Sequence, residues 1–92
     1  MNFALYCIDK DHHGHVRAEN RPAHLDYLKS NLDRIVIAGP LLADGDGGVL
    51  GSLLVIEAAD LSDAKAFADG DPYAKAGLFE YVTIMAFKKV LP

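Results

Sequence analysis

His24 is the residue of this sequence best suited to move a proton, because imidazole exchanges protons near neutral pH. Leu25, Leu28 and Leu32 fall at helical spacing and predict an apolar stripe along one helix. His24 lies about 60° from the centre of that stripe, at the border between core and solvent. There, burial and a neighbouring carboxylate can set the protonation of the ring. Two roles stay open for His24: it is an acid or base, or it is a structural histidine bonded to the backbone. The spacing alone favours the structural role.

Asp71 is the second candidate, since a carboxylate can orient an imidazole or act as a base itself. It directly precedes Pro72 and Tyr73, and an aspartate followed by proline is typical of a helix N-cap. Capping alone is enough to explain the residue. Nothing in the spacing brings Asp71 to His24, so both roles stay open here as well.

Cys7 and a histidine-rich segment are weaker candidates. Cys7 lies in a strand-like apolar run, where a free thiol is commonly a core residue, and no adjacent cation favours the thiolate. His12, His13 and His15 carry the type of ligand that Zn, Ni or Cu accepts. No further ligand or supporting group is evident, however. We expect solvated loop histidines and no functional metal.

The turn at residues 43–48 contains glycines and aspartates but fits neither phosphate nor calcium binding. A GxGxxG match would need glycine where Leu50 stands, and the turn joins two strands instead of a strand and a helix. The remaining ligands of a calcium loop are missing. We expect no nucleotide and no cofactor.

The composition excludes several classes of protein. Nine Lys and Arg against thirteen Asp and Glu give a net charge of −4, which disfavours nucleic-acid binding. A single cysteine allows no internal disulfide, and no apolar run reaches the roughly 20 residues of a membrane span. The N-terminus lacks the pattern of a signal peptide. We therefore expect one cytoplasmic domain, residues 1–92, with no nucleic-acid or membrane partner.

Hydrophobic periodicity and turn signals predict four strands, two main helices and a short extra helix. The strands are predicted at Phe3–Ile8, Arg34–Leu42, Val49–Glu57 and Glu80–Val90, and the helices at Arg21–Leu32, Asp63–Asp69 and Asp71–Gly77. Pro22 is placed in the first helical turn, although a preceding turn at 17–20 is compatible with the sequence. Gly39-Pro40 is predicted to bend or end strand pairing. The βαββαβ order predicts a ferredoxin-like α+β fold, a four-stranded antiparallel sheet with helices on one face.

The third and fourth strands are apolar on both faces, in residues 53–56 and 82–87. Helices cover only one face, and an antiparallel sheet with a wet second face alternates apolar with polar residues. Large exposed apolar surfaces usually mark interfaces. We therefore expect a homodimer that packs through the sheet faces, since two-fold pairs are the commonest closed assembly.

Several short motifs together resemble the YciI-like (YCII-related) family over essentially the whole chain. They are Arg21-Pro22-Ala23-His24-Leu25, Ala38-Gly39-Pro40, Gly51-Ser52, Asp69-Gly70-Asp71-Pro72-Tyr73 and Phe87-Lys88-Lys89-Val90-Leu91. The resemblance implies a ferredoxin-like α+β barrel that dimerises through its sheets, with a cleft that holds a catalytic histidine and aspartate. Carried onto this sequence, the pair is His24 and Asp71. The histidine-rich segment 11–15 departs from the family pattern near the mouth of that cleft.

The one enzymatic activity that the resemblance implies is dehydrochlorination of a chlorinated hydroxyhydroquinone. The carboxylate would hold one tautomer of the imidazole, and the ring would accept a phenolic or C–H proton without a covalent nucleophile. Arg21 would stabilise a developing negative charge, unless it pairs with Glu19 or Asp26 on the surface. Ser52 and Tyr73 would bind the substrate. The alternative function is a non-catalytic domain that holds a small molecule in the same cleft.

Overall fold

A four-stranded antiparallel sheet organises the chain, and the computed structural model describes residues 1–92. The elements in chain order are β1 (Asn2–Asp9), α1 (Gly14–Ser30), a 3₁₀ turn (Leu32–Arg34), β2 (Ile35–Leu42), β3 (Val49–Glu57), α2 (Leu61–Gly70), α3 (Pro72–Lys75) and β4 (Phe79–Phe87). The strands lie in the order β2-β3-β1-β4. The predicted ferredoxin-like α+β fold class is thereby confirmed. None of the helices has the length and apolar character that crossing a bilayer requires.

The core lies between one face of the sheet and the helices. Phe3, Leu5 and Cys7 of β1 are buried on this face, because side chains alternate between the faces of a strand. Ser52 of β3 lies directly opposite Cys7 and shares that buried face. The α2 helix closes the core with an apolar side made of Ala64, Phe67 and Ala68. A polar serine is therefore held at the edge of an otherwise apolar core.

The first helix begins at Gly14, so the prediction that it starts at Arg21 is wrong. Pro22 lies inside the helix and removes one backbone hydrogen bond. Ala18, whose carbonyl loses its donor, is exposed, so water can satisfy that oxygen. The additional turns place Arg17 on α1, where its side chain reaches β1.

The prediction that three leucines form the most buried side of this helix is also wrong. His24 is the only residue of α1 that is almost fully buried, at 7% exposed. Leu25 and Leu28 are half-buried, and Leu32 lies beyond the helix in the 3₁₀ turn, where it is 66% exposed. The reason is that α1 packs its His24 side against α3, so a polar contact sets the rotation of the helix.

The two edge strands, β2 and β4, differ from the prediction in how far their pairing extends, and the arrangement of the sheet explains both differences. Gly39 and Pro40 stay paired with β3 and do not end β2. Because β2 is an edge strand, the missing N–H of a proline can be accommodated there. The last strand stops at Phe87, short of the predicted Val90, because its pairing with β1 ends where Phe87 lies opposite Asn2, the first residue of β1.

The other face of the sheet is apolar, and no element of this chain covers it. Five of its large side chains, which come from all four strands, are between 37% and 65% exposed: Tyr6, Ile37, Leu53, Tyr81 and Met85. We refer to these five residues as the outer face. Tyr6 alternates with the buried Leu5 and Cys7 of β1. Strand pairing puts the other four on the same side of the sheet: Leu53 lies opposite Tyr6, Met85 and Tyr81 lie opposite Ala4 and Ile8, and Ile37 lies opposite Val55, which itself pairs with Ala4.

Because Cys7 is buried, the free energy of unfolding is expected to fall as the pH rises in the alkaline range. Burial raises the pKa of its thiol from 9.0 to about 12, and the charges of Asp71 and Asp9 act in the same direction. An unfolded chain releases this proton at its ordinary pKa, whereas the folded chain keeps it. The contribution of Cys7 to the free energy of unfolding is therefore fully present below about pH 9. It is lost as the pH rises towards 12, by up to about 1.4 kcal/mol per pH unit.

We expect Cys7→Ala to make the decline of stability above about pH 9 less steep, because the titrating thiol is gone. Urea unfolding at a series of pH values measures this slope. Below about pH 9 the variant is less stable because it leaves a small cavity, so the slopes are compared and not the absolute values. Tyr27 and Tyr73, whose pKa values burial also raises, are present in both proteins. Equal slopes would contradict the role of Cys7.

Candidate active site

A cleft of about 480 Å³ lies between α1, α3 and the strands β2 and β3. Its apolar wall includes Leu25, Leu28, Pro40, Val49 and Leu54. Its polar side chains are Arg17, Arg21, His24, Ser52 and Tyr73. Four of these five were candidates from the sequence, and Arg17 was not. Asp71 does not line the cleft but stands behind His24.

His24 and Asp71 are in direct contact. Nδ1 of His24 lies 2.7 Å from Oδ1 of Asp71, and their side chains are 9% and 5% exposed. The same Oδ1 accepts the backbone N–H of Tyr73 at 2.9 Å, which makes Asp71 the N-cap of α3. Capping and contact with His24, which the spacing left as alternatives, are both made by one carboxylate oxygen.

The second nitrogen of the His24 ring, Nε2, is free of protein partners. Every buried side-chain nitrogen or oxygen of the chain has a hydrogen-bond partner. Nε2 has none, so it is accessible, and His24 lines the cleft. A carboxylate only accepts hydrogen bonds, so in the neutral ring the proton lies on Nδ1 and Nε2 carries a lone pair. The arrangement can therefore present a base to a molecule in the cleft.

Tyr73 stacks on the His24 ring. The ring centroids are 3.9 Å apart and the planes differ by 13°, while Phe79 meets Tyr73 edge-on at 6.1 Å. Burial raises the pKa of the Tyr73 hydroxyl, and the charges of Arg17 and Arg21 oppose this shift without cancelling it. The phenol is therefore neutral near pH 7, and its stacked ring restricts the plane of the imidazole.

Arg17 is a residue of the cleft that was not predicted from the sequence. Its Nε and Nη2 donate to the two carboxylate oxygens of Asp9 at 2.8 and 3.0 Å, and Nη2 also donates to Ser52 Oγ at 3.0 Å. The guanidinium carbon lies 4.6 Å from the centre of the Tyr73 ring. Burial lowers the pKa of Arg17, but the hydrogen bonds and charge of Asp9 outweigh burial, so its pKa lies above the ordinary value.

A signal for Arg17 was present in the sequence. Arg17, Arg21 and His24 are spaced i, i+4 and i+7, which places all three on one side of a helix. That spacing is informative only if the helix extends upstream of Arg21. Placing Pro22 at the first turn left Arg17 outside the predicted helix.

Arg21 and Ser52 line the cleft in different environments. Arg21 is exposed and belongs to none of the ion pairs of the chain, so the predicted alternative of a surface pair with Glu19 or Asp26 does not occur. Ser52 is 3% exposed, and its oxygen accepts the hydrogen bond from Arg17. One free cation and one buried hydroxyl therefore border the same cavity as His24.

The histidine-rich segment is only partly a loop. His15 lies in the first turn of α1, and its ring centroid is 5.9 Å from that of His13. His13 Nδ1 donates to the backbone oxygen of Asp11 at 2.8 Å. No group of three or more His, Cys, Asp and Glu side chains is arranged to hold a metal ion. Gly14 alone from this segment reaches the cleft.

Comparison with known proteins identifies relatives over nearly the full chain. The sequence model of the family described as "YCII-related domain" matches residues 1–88. "Protein YciI" from Escherichia coli O6:H1 (strain CFT073) is 39% identical over 97 aligned residues, which cover 98% of this chain and 99% of that protein. An uncharacterized protein from Haemophilus influenzae is 32% identical over the same length, with the same coverage.

Two solved structures share the fold. The first is the 5-chloro-2-hydroxyhydroquinone dehydrochlorinase (TftG) from Burkholderia phenoliruptrix AC1100, in complex with 2,5-dihydroxybenzoquinone. It is 35% identical, with a TM-score of 0.90, and the match covers 96% of this chain and 94% of that one. The second, At3g17210 from Arabidopsis thaliana, shares the fold alone, at 10% identity and a TM-score of 0.51, over 99% of this chain and 96% of that one. The family match over residues 1–88 and the full-length relatives agree, and the chain belongs to the family of YCII-related domains.

Proposed function

We propose that this protein is a small enzyme that uses His24 as a general base in a lyase-type reaction on a small ring compound. The observation that carries the proposal is the free Nε2 of His24 at the cleft, with Nδ1 held by Asp71. A general base must come within hydrogen-bond reach of the proton it removes, and the cleft admits a substrate to Nε2. The 35% identity to the Burkholderia dehydrochlorinase supports dehydrochlorination as the class of reaction.

Dehydrochlorination of a chlorinated hydroxyhydroquinone requires proton transfers and no external oxidant. In the proposed sequence, Nε2 of His24 accepts the proton of a ring hydroxyl, and the imidazolium returns a proton to the ring carbon that bears chlorine. Chloride then leaves with the electron pair of the C–Cl bond, while a second ring hydroxyl gives its proton to Nε2 of His24, which is neutral again at this stage. The products are a hydroxyquinone and HCl, so atoms and electrons balance. The reaction as proposed uses neither a cofactor nor a metal.

The other polar residues of the cleft have complementary roles in this proposal. Asp71 keeps the proton of the neutral ring on Nδ1 and stabilises the imidazolium that forms. Arg21 has no ion-pair partner in the chain and can pair with the phenolate that develops on the substrate. Ser52 already accepts a hydrogen bond, so its own hydroxyl proton can be donated to a ring oxygen. The neutral Tyr73 hydroxyl is a further donor for a bound ring.

We also propose that two copies of the chain pack through their outer faces. Five large apolar side chains from four neighbouring strands form one exposed surface there, on a chain whose opposite face is covered by helices. Burying such a surface is favourable in proportion to the apolar area removed from water. A two-fold pair buries the same surface of both copies at once.

Chloride release from 5-chloro-2-hydroxyhydroquinone tests the proposed reaction. We expect the wild-type protein to release chloride and form a hydroxyquinone. His24→Gln should lose about 10²–10⁴-fold in rate, the usual contribution of a positioned base. His15→Gln is the matched control, because it alters an exposed histidine of the same helix, and it should keep the wild-type rate.

Two results would contradict catalysis by His24. The first is an equal rate in His24→Gln and the wild type. The second is no chloride release by the wild type, together with binding of 2,5-dihydroxybenzoquinone that His24→Gln weakens. That second result would favour the alternative function, a domain that binds a small molecule without transforming it.

Sedimentation velocity at micromolar concentration tests the proposed dimer. We expect the wild type to sediment at about twice the chain mass of 9.9 kDa. Met85→Lys places a charge in the outer face, where Met85 is 65% exposed, and should shift the protein towards monomer. Leu61→Lys makes the same change on α2 at a side chain that is 57% exposed and should leave the dimer intact. A monomeric wild type, or equal dissociation of both variants, would contradict the proposal.

A further inference from the structure

We infer that Arg17, held by Asp9, is a positioning residue of this site that sets both the Ser52 hydroxyl and the Tyr73 ring. Tyr73 in turn stacks on His24, so the arginine acts on the imidazole through a second side chain. The consequence for turnover rests on the proposed function. The positioning itself is a property of the protein without substrate and can be tested there.

Three of the five N–H donors of Arg17 are engaged with protein groups. Nε and Nη2 are bonded to Asp9, and Nη2 is shared with Ser52. The side chain is 13% exposed, and the adjacent carboxylate balances its charge. Arg21, four residues later, is exposed and has no such partner. The two arginines therefore differ in role: Arg21 is available to a substrate, and Arg17 is occupied in holding the site.

Stability alone is a weak explanation for the pair of Arg17 and Asp9. Their side chains are only 13% and 10% exposed, and taking two charges out of water offsets most of their mutual attraction. What the pair does supply is a fixed geometry, since a guanidinium presents several donors in one rigid plane. That plane joins four elements of the fold: β1 through Asp9, α1 itself, β3 through Ser52 and α3 through Tyr73.

The chain contains a second arginine with similar contacts away from the cleft. Arg34 donates to Asp63 at 3.0 Å and lies 5.2 Å from the centre of the Phe67 ring. Neither Arg34 nor its partners line the cleft. The pair of Arg34 and Asp63 is therefore a matched control for an ion pair that stacks on an aromatic ring but holds no group of the site.

Arg17→Lys tests the inference, with Arg34→Lys as control. Lysine keeps the charge but lacks the planar fork that bridges Asp9, Ser52 and Tyr73. The signals of the carbon-bound ring protons of His24 in ¹H NMR report its stacking on Tyr73. We expect Arg17→Lys to move these signals downfield, towards those of exposed histidines, because the stack loosens. Arg34→Lys should leave them at their wild-type positions.

Binding of 2,5-dihydroxybenzoquinone gives a second readout of the same variants. We expect Arg17→Lys to raise the dissociation constant for this compound by about ten-fold, the effect of disturbing one strong hydrogen-bonding group. Arg34→Lys should bind it as the wild type does. Comparable thermal stability of the two variants would show that loss of folding does not cause the difference.

Asp9→Asn and Asp63→Asn repeat the comparison from the carboxylate side. Unchanged His24 signals in folded Arg17→Lys or Asp9→Asn would overturn the inference, and so would equal changes in the Arg34 and Asp63 variants. If neither site variant folds while both controls do, Arg17 and Asp9 are structural residues and the inference is wrong. Absence of chloride release by the wild type bears on the proposed function only, because the NMR comparison needs no turnover.

Discussion

A single carboxylate oxygen, Oδ1 of Asp71, joins two parts of the chain that lie 47 positions apart. It accepts the Nδ1 proton of His24 and the backbone N–H of Tyr73 that begins α3. Both partners are shielded from water, where an unsatisfied polar group is costly. The rotation of α1 and the position of α3 therefore depend on each other. The stacking of Tyr73 on the imidazole follows from this shared attachment.

The charges around the cleft are divided between fixed and available groups. Asp9 and Arg17 neutralise each other at the junction of β1 and α1 and leave no net charge for a ligand. Arg21 keeps its charge at the open side of the cleft. His24 lies between these two environments, with one nitrogen bound to the protein and one facing the cavity. In the proposed reaction, such a division lets His24 transfer a proton without loosening the groups that hold its ring.

The strands could be predicted from the sequence more accurately than the first helix. The bounds of the third strand, Val49–Glu57, were predicted as observed, because a glycine-rich turn and a charged residue delimit its apolar run. The sequence predicts a helix that begins near Pro22, yet an exposed helix side tolerates a proline, and the late start leaves Arg17 out of the predicted helix. The contact between His24 and Asp71 depends on the packing of α1 against α3. Spacing along the chain contains no information on that packing, and only the family resemblance suggested the pair.

The arrangement of the site requires that Asp71 holds the proton of the neutral His24 ring on Nδ1 and leaves Nε2 as a free base. Two-bond ¹H–¹⁵N NMR of the labelled protein reports which ring nitrogen bears the proton, and His24→Gln assigns the signals. At a pH where the ring is neutral, we predict a protonated Nδ1 and an unprotonated Nε2, in one tautomer. A proton on Nε2, or an even mixture of the two tautomers, would contradict this role of Asp71.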